Sequence, residues 1–154
     1  GIGSNLGNRI INIEKAKTKL SDNNIKIIKS SGYYESLSWP NPNNPKFYNI
    51  VLKVKTNLNV IRLLSICKNI ERSIGRKKAA KNSPRVCDID VIDYNNEFIT
   101  RGINVPHPRM HIRNFVLIPL FEIDKDWKHP KTKHHIKALI FSLSNSDISS
   151  IKKI

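Results

Sequence analysis

Two hydrophobic periodicities alternate along this chain, and their order limits the folds that it can adopt. In residues 8–20, apolar side chains recur every three or four positions, which predicts an amphipathic surface helix. Two runs of β-branched and aromatic residues follow, at 25–28 and 47–55, and both favour strands. A second helix is predicted for residues 59–74, with Gly75 ending it.

The second half of the chain continues the alternation. We predict a strand at residues 86–93, a short helix at 109–117 before Pro119, and a final helix at 135–143. Helices between strands that are not uniformly parallel indicate an α+β fold. The 154 residues contain no repeat or long linker, so we expect a single domain, 1–154. Residues 38–45, rich in proline and asparagine, predict a loop that is a candidate lid.

The chain is strongly basic. It has 27 Lys and Arg against 12 Asp and Glu, a formal net charge of +15. Such a charge favours a nucleic acid, an anionic membrane surface or a nucleotide as partner, and a merely solvated basic surface explains it equally well. No stretch approaches the ~18 consecutive apolar residues of a membrane span. We find no signal peptide and expect a cytoplasmic protein without membrane contact; Cys67 and Cys87 lack metal spacing and are expected to be buried, reduced thiols.

Asp88-Ile89-Asp90 is the most informative triplet. On a strand, residues two apart project to one face, which places the two carboxylates about 7 Å apart. Ile89 then points into the core on the opposite face. Two carboxylates on one face suit a magnesium ion that also binds phosphates and water. A solvent-facing edge strand is the alternative reading of the same pattern.

Cationic residues flank this acidic pair on both sides in the sequence. They are Arg76, Lys77, Lys78 and Arg85 before it, and His107, Arg109, His111 and Arg113 after it. Phosphoryl-type transfer needs positioning and neutralisation of charge more than covalent chemistry, so guanidinium groups around a metal site are the expected equipment. For Lys77 and Lys78, exposed charges at a helix end remain the simpler explanation.

The glycine-rich opening, residues 1–7, is neither of the common phosphate-binding loops. Leu6 occupies the third glycine position of a dinucleotide-binding loop, and no Lys-Ser/Thr pair follows as in a P-loop. The glycines instead predict a tight strand-to-helix turn that leaves Asn5 free to reach a ligand.

Together these motifs resemble the 6-hydroxymethyl-7,8-dihydropterin pyrophosphokinase family over nearly the whole chain. The segments that carry the resemblance are Gly3-Ser4-Asn5-Leu6, Tyr34-Glu35-Ser36, Pro84-Arg85-Val86-Cys87-Asp88-Ile89-Asp90-Val91-Ile92, Val105-Pro106-His107-Pro108-Arg109-Met110, Arg113-Asn114-Phe115 and Pro119-Leu120-Phe121-Glu122-Ile123. The resemblance implies a ferredoxin-like α+β fold with a mainly antiparallel sheet. It also implies transfer of diphosphate from ATP to the pterin hydroxymethyl group, with release of AMP, in tetrahydrofolate biosynthesis.

The resemblance further assigns roles to individual residues. Two Mg²⁺ ions would lie between the ATP phosphates and the pair Asp88 and Asp90. The pterin would be bound by Phe47 and Phe115, which stack on it, and by Asn5, Ser36, Leu37 and Asn49. The nucleotide would be bound by Lys68, Glu71, Arg76, Arg85, His107 and Arg113. Of these, the catalytic cations would be Arg76, Arg85, His107 and Arg113.

The chain departs from the family pattern in several places. Phe47 stands where a tyrosine is common and Lys68 where a glutamine is. The loop of residues 76–85 is one residue short. Within it, Ser83 replaces the usual Gly or Ala, and Asn82 stands where a tryptophan sometimes covers the site. In the family, a first strand runs into the Gly-Ser-Asn turn. Only Gly1 and Ile2 precede that turn here, so we expect the first strand to be largely missing and the fold to be less stable as a result.

Two other classes of protein fit part of the pattern. A basic nucleic-acid-binding α+β module without catalysis would explain the charge, but residues 47–50 lack the glycine of the RNA-binding strand motif. A non-catalytic interaction domain would not need Asp88 and Asp90 beside Arg85, His107 and Arg113. We therefore expect a monomeric enzyme whose partners are the small molecules ATP and hydroxymethyl-dihydropterin, and not nucleic acid.

Overall fold

The computed structural model describes residues 1–80 and 82–154. It contains both helices and short strands. In chain order the elements are β1 (Ile2–Ser4), α1 (Arg9–Asp22), β2 (Lys26–Ser30), β3 (Tyr34–Ser36), β4 (Phe47–Ile50), β5 (Leu52–Lys55), α2 (Val60–Ile74), β6 (Asp88–Ile89), a 3₁₀ turn (Met110–Ile112), α3 (Asn114–Ile123), α4 (Ile136–Phe141), α5 (Asn145–Ser149) and β7 (Lys152–Lys153).

The strands form two antiparallel sheets. The larger has five strands in the order β6-β1-β4-β3-β7, and β2 pairs with β5 in a separate ribbon. The α+β class and the antiparallel pairing predicted from the sequence are confirmed. No helix in the described part of the chain is both long and apolar enough to cross a membrane.

Helices α1 and α2 cover one face of the larger sheet. Ile2 lies opposite both Ile50 and Ile89 in the strand ladders, and these three side chains join the buried apolar faces of the two helices in one core. The predicted ends of α2 are confirmed: Asn59 Oδ1 accepts the N–H of Arg62 at 2.9 Å, and Gly75 adopts φ 115°. Cys67 and Cys87 are buried and free, as expected.

A second core packs α3 and α4 together beside β4. The predicted helix at 109–117 is wrong in its bounds, because α3 begins only at Asn114 and continues through Pro119 to Ile123. Proline removes one backbone hydrogen bond from a helix interior. Here the apolar face of α3, buried in the second core, compensates for that loss.

Two predicted strands are also shorter than expected. The run 47–55 is divided between two sheets at Val51, whose N–H and C=O both bond to Ser31 at 2.9 Å. The run 86–93 contributes only Asp88–Ile89 as a strand, and its ladder with β1 ends where Asp90 bonds to Gly1. Backbone groups find their nearest partners regardless of the apolar pattern around them.

The start and end of the chain correct the sequence prediction further. The first strand was expected to be largely missing, yet Ile2–Ser4 form a strand that pairs with β4 on one side and β6 on the other. The final predicted helix, 135–143, is observed as Ile136–Phe141 with His135 as its N-cap. Three short elements that were not predicted, β3, α5 and β7, complete the fold.

Candidate active site

One face of the larger sheet carries the polar and aromatic residues that the sequence singled out. Gly3 lies directly opposite Asn49 of β4 and Asp88 of β6. Residues directly opposite in antiparallel strands share a face, as do residues two apart on one strand. Phe47, Asn49, Asp88 and Asp90 therefore stand on the same face, away from the core under α1 and α2.

Gly3 forms the floor between these side chains. A Cβ atom at this position would lie 3.0 Å from Asn49 Oδ1 and 3.3 Å from a ring carbon of Phe47. Both separations are tighter than ordinary van der Waals contact. The absence of a side chain at Gly3 thus keeps the space between β4 and β6 open, a role that sequence reasoning missed.

A small cavity of about 70 Å³ opens above this floor. Among the residues that line it are the following predicted site residues: Ser36, Leu37, Phe47, Asn49, Arg85, Asp88, Asp90, Arg113 and Phe115. The candidate lid residue Trp39 also lines it. The fold thus brings together side chains that are up to 79 positions apart in the chain, Ser36 and Phe115 being the most distant.

Asn49 presents one free polar atom to the cavity. Its Nδ2 donates to Ser36 Oγ at 2.9 Å, and Oδ1 has no hydrogen-bond partner among residues 1–80 and 82–154. Asn49 is 7% exposed and Ser36 2%. A buried amide with one side satisfied and the other free is suited to bind the edge of a flat polar ligand.

Two arginines neutralise Asp88. Arg76 Nη1 lies 2.5 Å from Asp88 Oδ1, and Arg85 Nη2 lies 2.5 Å from Oδ2. Burial raises the pKa of Asp88, but the charges of Arg85 and Arg76 outweigh burial and hold that pKa below its ordinary value. Asp88 is therefore a carboxylate at neutral pH, with cations already at both oxygens.

Glu71 fixes the strand that carries Asp88. Its carboxylate is 2% exposed, and Oε1 accepts hydrogen bonds from the backbone N–H of Ile89 at 2.6 Å and from Lys68 Nζ at 2.7 Å. Its other oxygen lies 2.8 Å from Arg76 Nη1. Glu71 was predicted to lie near a nucleotide, and it does line the neighbouring basic cavity, but both its oxygens are already bonded within the protein.

This second cavity, of about 520 Å³, adjoins the first. Its lining includes Lys68, Glu71, Arg72, Arg76, Lys77, Lys78, Asn82 and Arg85. Asn82 and Arg85 line both cavities, so they form the boundary between them. The excess of cationic side chains makes this space suitable for a polyanionic group.

Arg113 adds a further cation to the lining of the small cavity, whereas His107 lines neither cavity. His107 Nδ1 accepts the N–H of Arg109 at 3.1 Å, so a neutral ring carries its proton on Nε2. Burial and the charge of Arg113 lower the pKa of His107, which is therefore neutral at pH 7. Arg113 lies over the ring of Phe115, and Arg85 over that of Phe47, at 5.4 and 5.1 Å from the ring centroids.

Asn5 does not take the place that the sequence predicted. It is 2% exposed and does not line the small cavity. Its Oδ1 accepts the N–H of Arg85 at 2.7 Å, and Nδ2 donates to Ser38 Oγ and Pro45 O. The prediction that this side chain is free to reach a ligand is therefore wrong. The side chain instead ties β1 to the two loops that border the cavity.

Comparison with known proteins points to one family. A model of the family described as 7,8-dihydro-6-hydroxymethylpterin-pyrophosphokinase (HPPK) matches residues 1–125. A relative from Aquifex aeolicus, named 2-amino-4-hydroxy-6-hydroxymethyldihydropteridine pyrophosphokinase, is 42% identical over 138 residues, which are 89% of this chain and 86% of that protein. A relative of the same name from Bacillus subtilis is 36% identical over 79% of this chain and 74% of its own length.

Longer proteins match as well. The folic acid synthesis protein fol1 of Pneumocystis carinii is 39% identical over 97% of this chain, which spans only 20% of that protein. A crystal structure of an HPPK-DHPS in complex with substrates superposes on 99% of this chain and 45% of its own with a TM-score of 0.76 at 17% identity, which supports the fold. The family predicted from the sequence is confirmed, and the nucleic-acid-binding alternative receives no support. The chain belongs to the 7,8-dihydro-6-hydroxymethylpterin-pyrophosphokinase family.

Proposed function

We propose that this chain transfers the diphosphate group of ATP to the hydroxymethyl group of 6-hydroxymethyl-7,8-dihydropterin and releases AMP, a step in the synthesis of tetrahydrofolate. In this reaction the pterin hydroxyl oxygen attacks the β-phosphorus. The bond between that phosphorus and the oxygen bridging to the α-phosphate breaks, and the hydroxyl proton is lost. The proposal rests on family membership and on the convergence of two aromatic rings, two aspartates and two arginines on one cavity.

The pterin is assigned to the small cavity. Phe47 and Phe115 both line it and supply flat apolar surface for a heteroaromatic ring. Asn49 Oδ1 and backbone groups near Ser36 and Leu37 are placed to bond the ring's polar edge. The described cavity is only about 70 Å³, and Arg85 lies over Phe47, so we expect Arg85 to move when the pterin enters.

The nucleotide is assigned to the basic cavity next to it. Arg76 and Arg85 border this cavity and bond Asp88, so they can exchange the carboxylate for phosphate oxygens with little movement. Lys68 adds a further cation on the same side, and Glu71 holds it in place. Arg113 lines the small cavity and would stabilise charge that develops during transfer. His107, whose pKa responds to the charge of Arg113, would add an Nε2–H donor. At pH 7 His107 is neutral and can donate one hydrogen bond from Nε2, while Arg113 is cationic.

The donor set fits magnesium. Asp88 and Asp90 are hard oxygen ligands that line one cavity. No group of three or more His, Cys, Asp or Glu close enough to hold a metal occurs in residues 1–80 and 82–154, so phosphates and water must supply the remaining ligands. Two Mg²⁺ ions bound there would neutralise phosphate charge and orient the transferred group.

We also infer a ferredoxin-like arrangement of the fold, a cytoplasmic location, a monomer, and no nucleic-acid partner.

Product analysis tests the proposal. The chain is incubated with ATP, Mg²⁺ and 6-hydroxymethyl-7,8-dihydropterin, and the nucleotides are separated. AMP should accumulate only when the pterin is present. ADP as the sole nucleotide product, or AMP formed at the same rate without pterin, would reject diphosphate transfer to the pterin.

A further inference from the structure

Residues 145–153, hereafter the C-terminal clamp, connect the two sides of the small cavity. They comprise α5 and β7 and lie outside the 125 residues that the family model matches. Strand β7 pairs with β3, placing Lys153 opposite Tyr34 and Lys152 opposite Glu35. The other end of the clamp bonds to the start of α3, the helix that carries Phe115. The clamp thus spans from the wall at Ser36 to the wall at Phe115.

Asn114 makes the connection to α3. Its Nδ2 donates to the backbone O of Asp147 at 2.6 Å and to Ser150 Oγ at 3.0 Å, while Oδ1 accepts the N–H of Phe115 at 2.6 Å. The residue is 9% exposed. Every hydrogen-bonding group of this amide except one lone pair is thereby engaged, which fixes the backbone at the base of the Phe115 side chain.

The far end of α3 is fastened to the same part of the fold. Glu122 accepts Lys153 Nζ at 2.8 Å and the hydroxyl of Tyr34 at 2.7 Å. The helix is therefore tied to the C-terminal clamp at both ends, to Asp147 and Ser150 at its start and to Lys153 at its far end. A rigid connection of this kind determines the distance between the two walls of a cavity.

The ring of Phe115 depends on this connection because packing constrains it on only part of its surface. Phe115 is half-buried against the second core, but it lines the small cavity and also a neighbouring cavity of about 310 Å³. Trp39, Asp147 and Ser150 line that neighbouring cavity as well. With open space on both sides, the ring's direction follows from its backbone more than from its contacts.

We propose that Asn114 is a positioning residue, which holds the stacking ring Phe115 against the pterin by fastening α3 to the C-terminal clamp. This inference rests on the proposed function, because it assigns the pterin to the cavity that Phe115 lines. Asn114 does not touch the ligand. Its loss acts through the ring, so it weakens pterin binding while ATP binding at the basic cavity is kept.

Adjacent serines of the clamp provide a matched pair of test variants. Both Ser149 and Ser150 donate to a carbonyl of α5, but only Ser150 Oγ also accepts from Asn114. Asn114→Ala removes three hydrogen bonds and should raise the pterin Kd about tenfold. Ser150→Ala removes one of those three and should raise it about threefold, and Ser149→Ala should not change it. The ATP Kd should stay within about twofold of the original value in each variant, since no contact with the basic cavity changes.

The conservative variant Asn114→Asp separates the two halves of the amide. It keeps an acceptor for the Phe115 N–H, but its second oxygen would face Asp147 O with no proton to donate. Because two acceptors repel each other, pterin binding should be at least as weak as in Asn114→Ala. The double variant Asn114→Ala/Ser150→Ala should bind pterin no worse than Asn114→Ala, because the shared bond is already lost. Additive losses would instead indicate two independent effects.

The decisive comparison is between pterin affinity, ATP affinity and ring order. In unliganded protein with ¹³C-labelled phenylalanine, the Phe115 ring signal, assigned with Phe115→Leu, should shift or broaden in Asn114→Ala and not in Ser149→Ala. Unchanged pterin Kd in Asn114→Ala, whatever its thermal stability, overturns the inference. If the unsubstituted protein forms no AMP, the proposed function fails, and an unchanged ring signal then overturns the positioning role independently.

Discussion

The carboxylate of Glu71 accepts the backbone N–H of Ile89 at 2.6 Å, so one buried acid on α2 sets the position of the strand that bears Asp88. The same carboxylate contacts Arg76, which bonds Asp88 in turn. A closed set of bonds therefore connects α2, the basic cavity and β6. Glu71 thus holds Asp88 in place both through the backbone of Ile89 and through Arg76.

Replacing Glu71 by leucine should cost stability as well as activity. The change leaves Arg76 without one of its two acidic partners and the Ile89 N–H without its acceptor, and an unsatisfied buried donor costs about 1–3 kcal/mol. Urea unfolding should show this loss. Replacement of Glu14, an exposed acid on α1, by leucine is the control and should change the free energy of unfolding far less; equal losses would contradict the role given to Glu71.

Phe115→Ala should weaken pterin binding by about 1–3 kcal/mol, the range for loss of stacking between a base and an aromatic ring. ATP affinity should change little, because Phe115 does not line the basic cavity. Isothermal titration with each ligand measures both. Phe141→Ala, at a residue that is 84% exposed, is the control. Equal losses for the two ligands would mean that Phe115 acts as an ordinary core residue.

Asp90→Ala should abolish turnover while the protein remains folded. Removal of one of two neighbouring carboxylates relieves repulsion without ligands but destroys the expected metal site. The rate of AMP formation and the circular dichroism spectrum are the measurements. Asp126→Ala, at a fully exposed side chain, should leave both unchanged. A rate near that of the unsubstituted protein would exclude a metal-binding role for Asp90.

Stability should fall as the pH drops through about 6.5, the ordinary histidine pKa, partly because of His129. Its Nδ1 accepts the N–H groups of Lys131 and Thr132, both at 3.2 Å. Burial, with His111 and His134 nearby, lowers the pKa of His129 in the folded state. The unfolded chain then binds the proton more readily, so protonation favours unfolding.

Thermal midpoints at pH 7.5 and 5.5 measure this effect. His129→Asn keeps an acceptor that does not titrate, so the difference between the two midpoints should shrink. The pKa of His107 is lowered as well, so His107 also reduces stability at low pH. The test is therefore how much the difference between the two midpoints shrinks in His129→Asn, and not the full size of that difference. An unchanged pH dependence in His129→Asn would rule out this histidine as a source of acid sensitivity.

A short apolar extension before Gly1 should raise stability. Gly1 borders a cavity of about 350 Å³ whose lining includes the apolar residues Val51, Leu52, Ile92, Leu120 and Trp127. Four or five added apolar residues would continue β1 into this space and cover that surface, at about 25 cal/mol per Å² of apolar area. The thermal midpoint should rise by several degrees. An equal number of serines should give no such gain, and equal midpoints for both extensions would contradict the expected burial.

Local signals allowed part of this structure to be predicted from the sequence. Asn59 and Gly75 mark the two ends of α2 because capping depends on the residues at the ends themselves. Asp88 and Asp90 share a face because Asp90 continues the pairing of β6 with β1 through its bonds to Gly1.

Features that depend on distant partners could not be predicted. The division of the run 47–55 at Val51 follows from the bonds of Val51 to Ser31, which no local pattern indicates. Pro119 lies inside α3 because a buried apolar face outweighs one lost hydrogen bond, a balance that only packing reveals. The link from Asn114 to Ser150 likewise joins residues 36 positions apart. Site residues were found through family resemblance, whereas Gly3 required the strand register.

Phosphorus NMR of the pterin product tests diphosphate transfer most directly. After reaction with ATP, Mg²⁺ and 6-hydroxymethyl-7,8-dihydropterin, the purified pterin should carry two phosphorus nuclei that couple to each other, as in a diphosphate ester. The nucleotide that remains should be AMP in equal amount. A pterin product with a single uncoupled phosphorus, accompanied by ADP, would contradict diphosphate transfer and would make this chain a kinase of the ordinary kind.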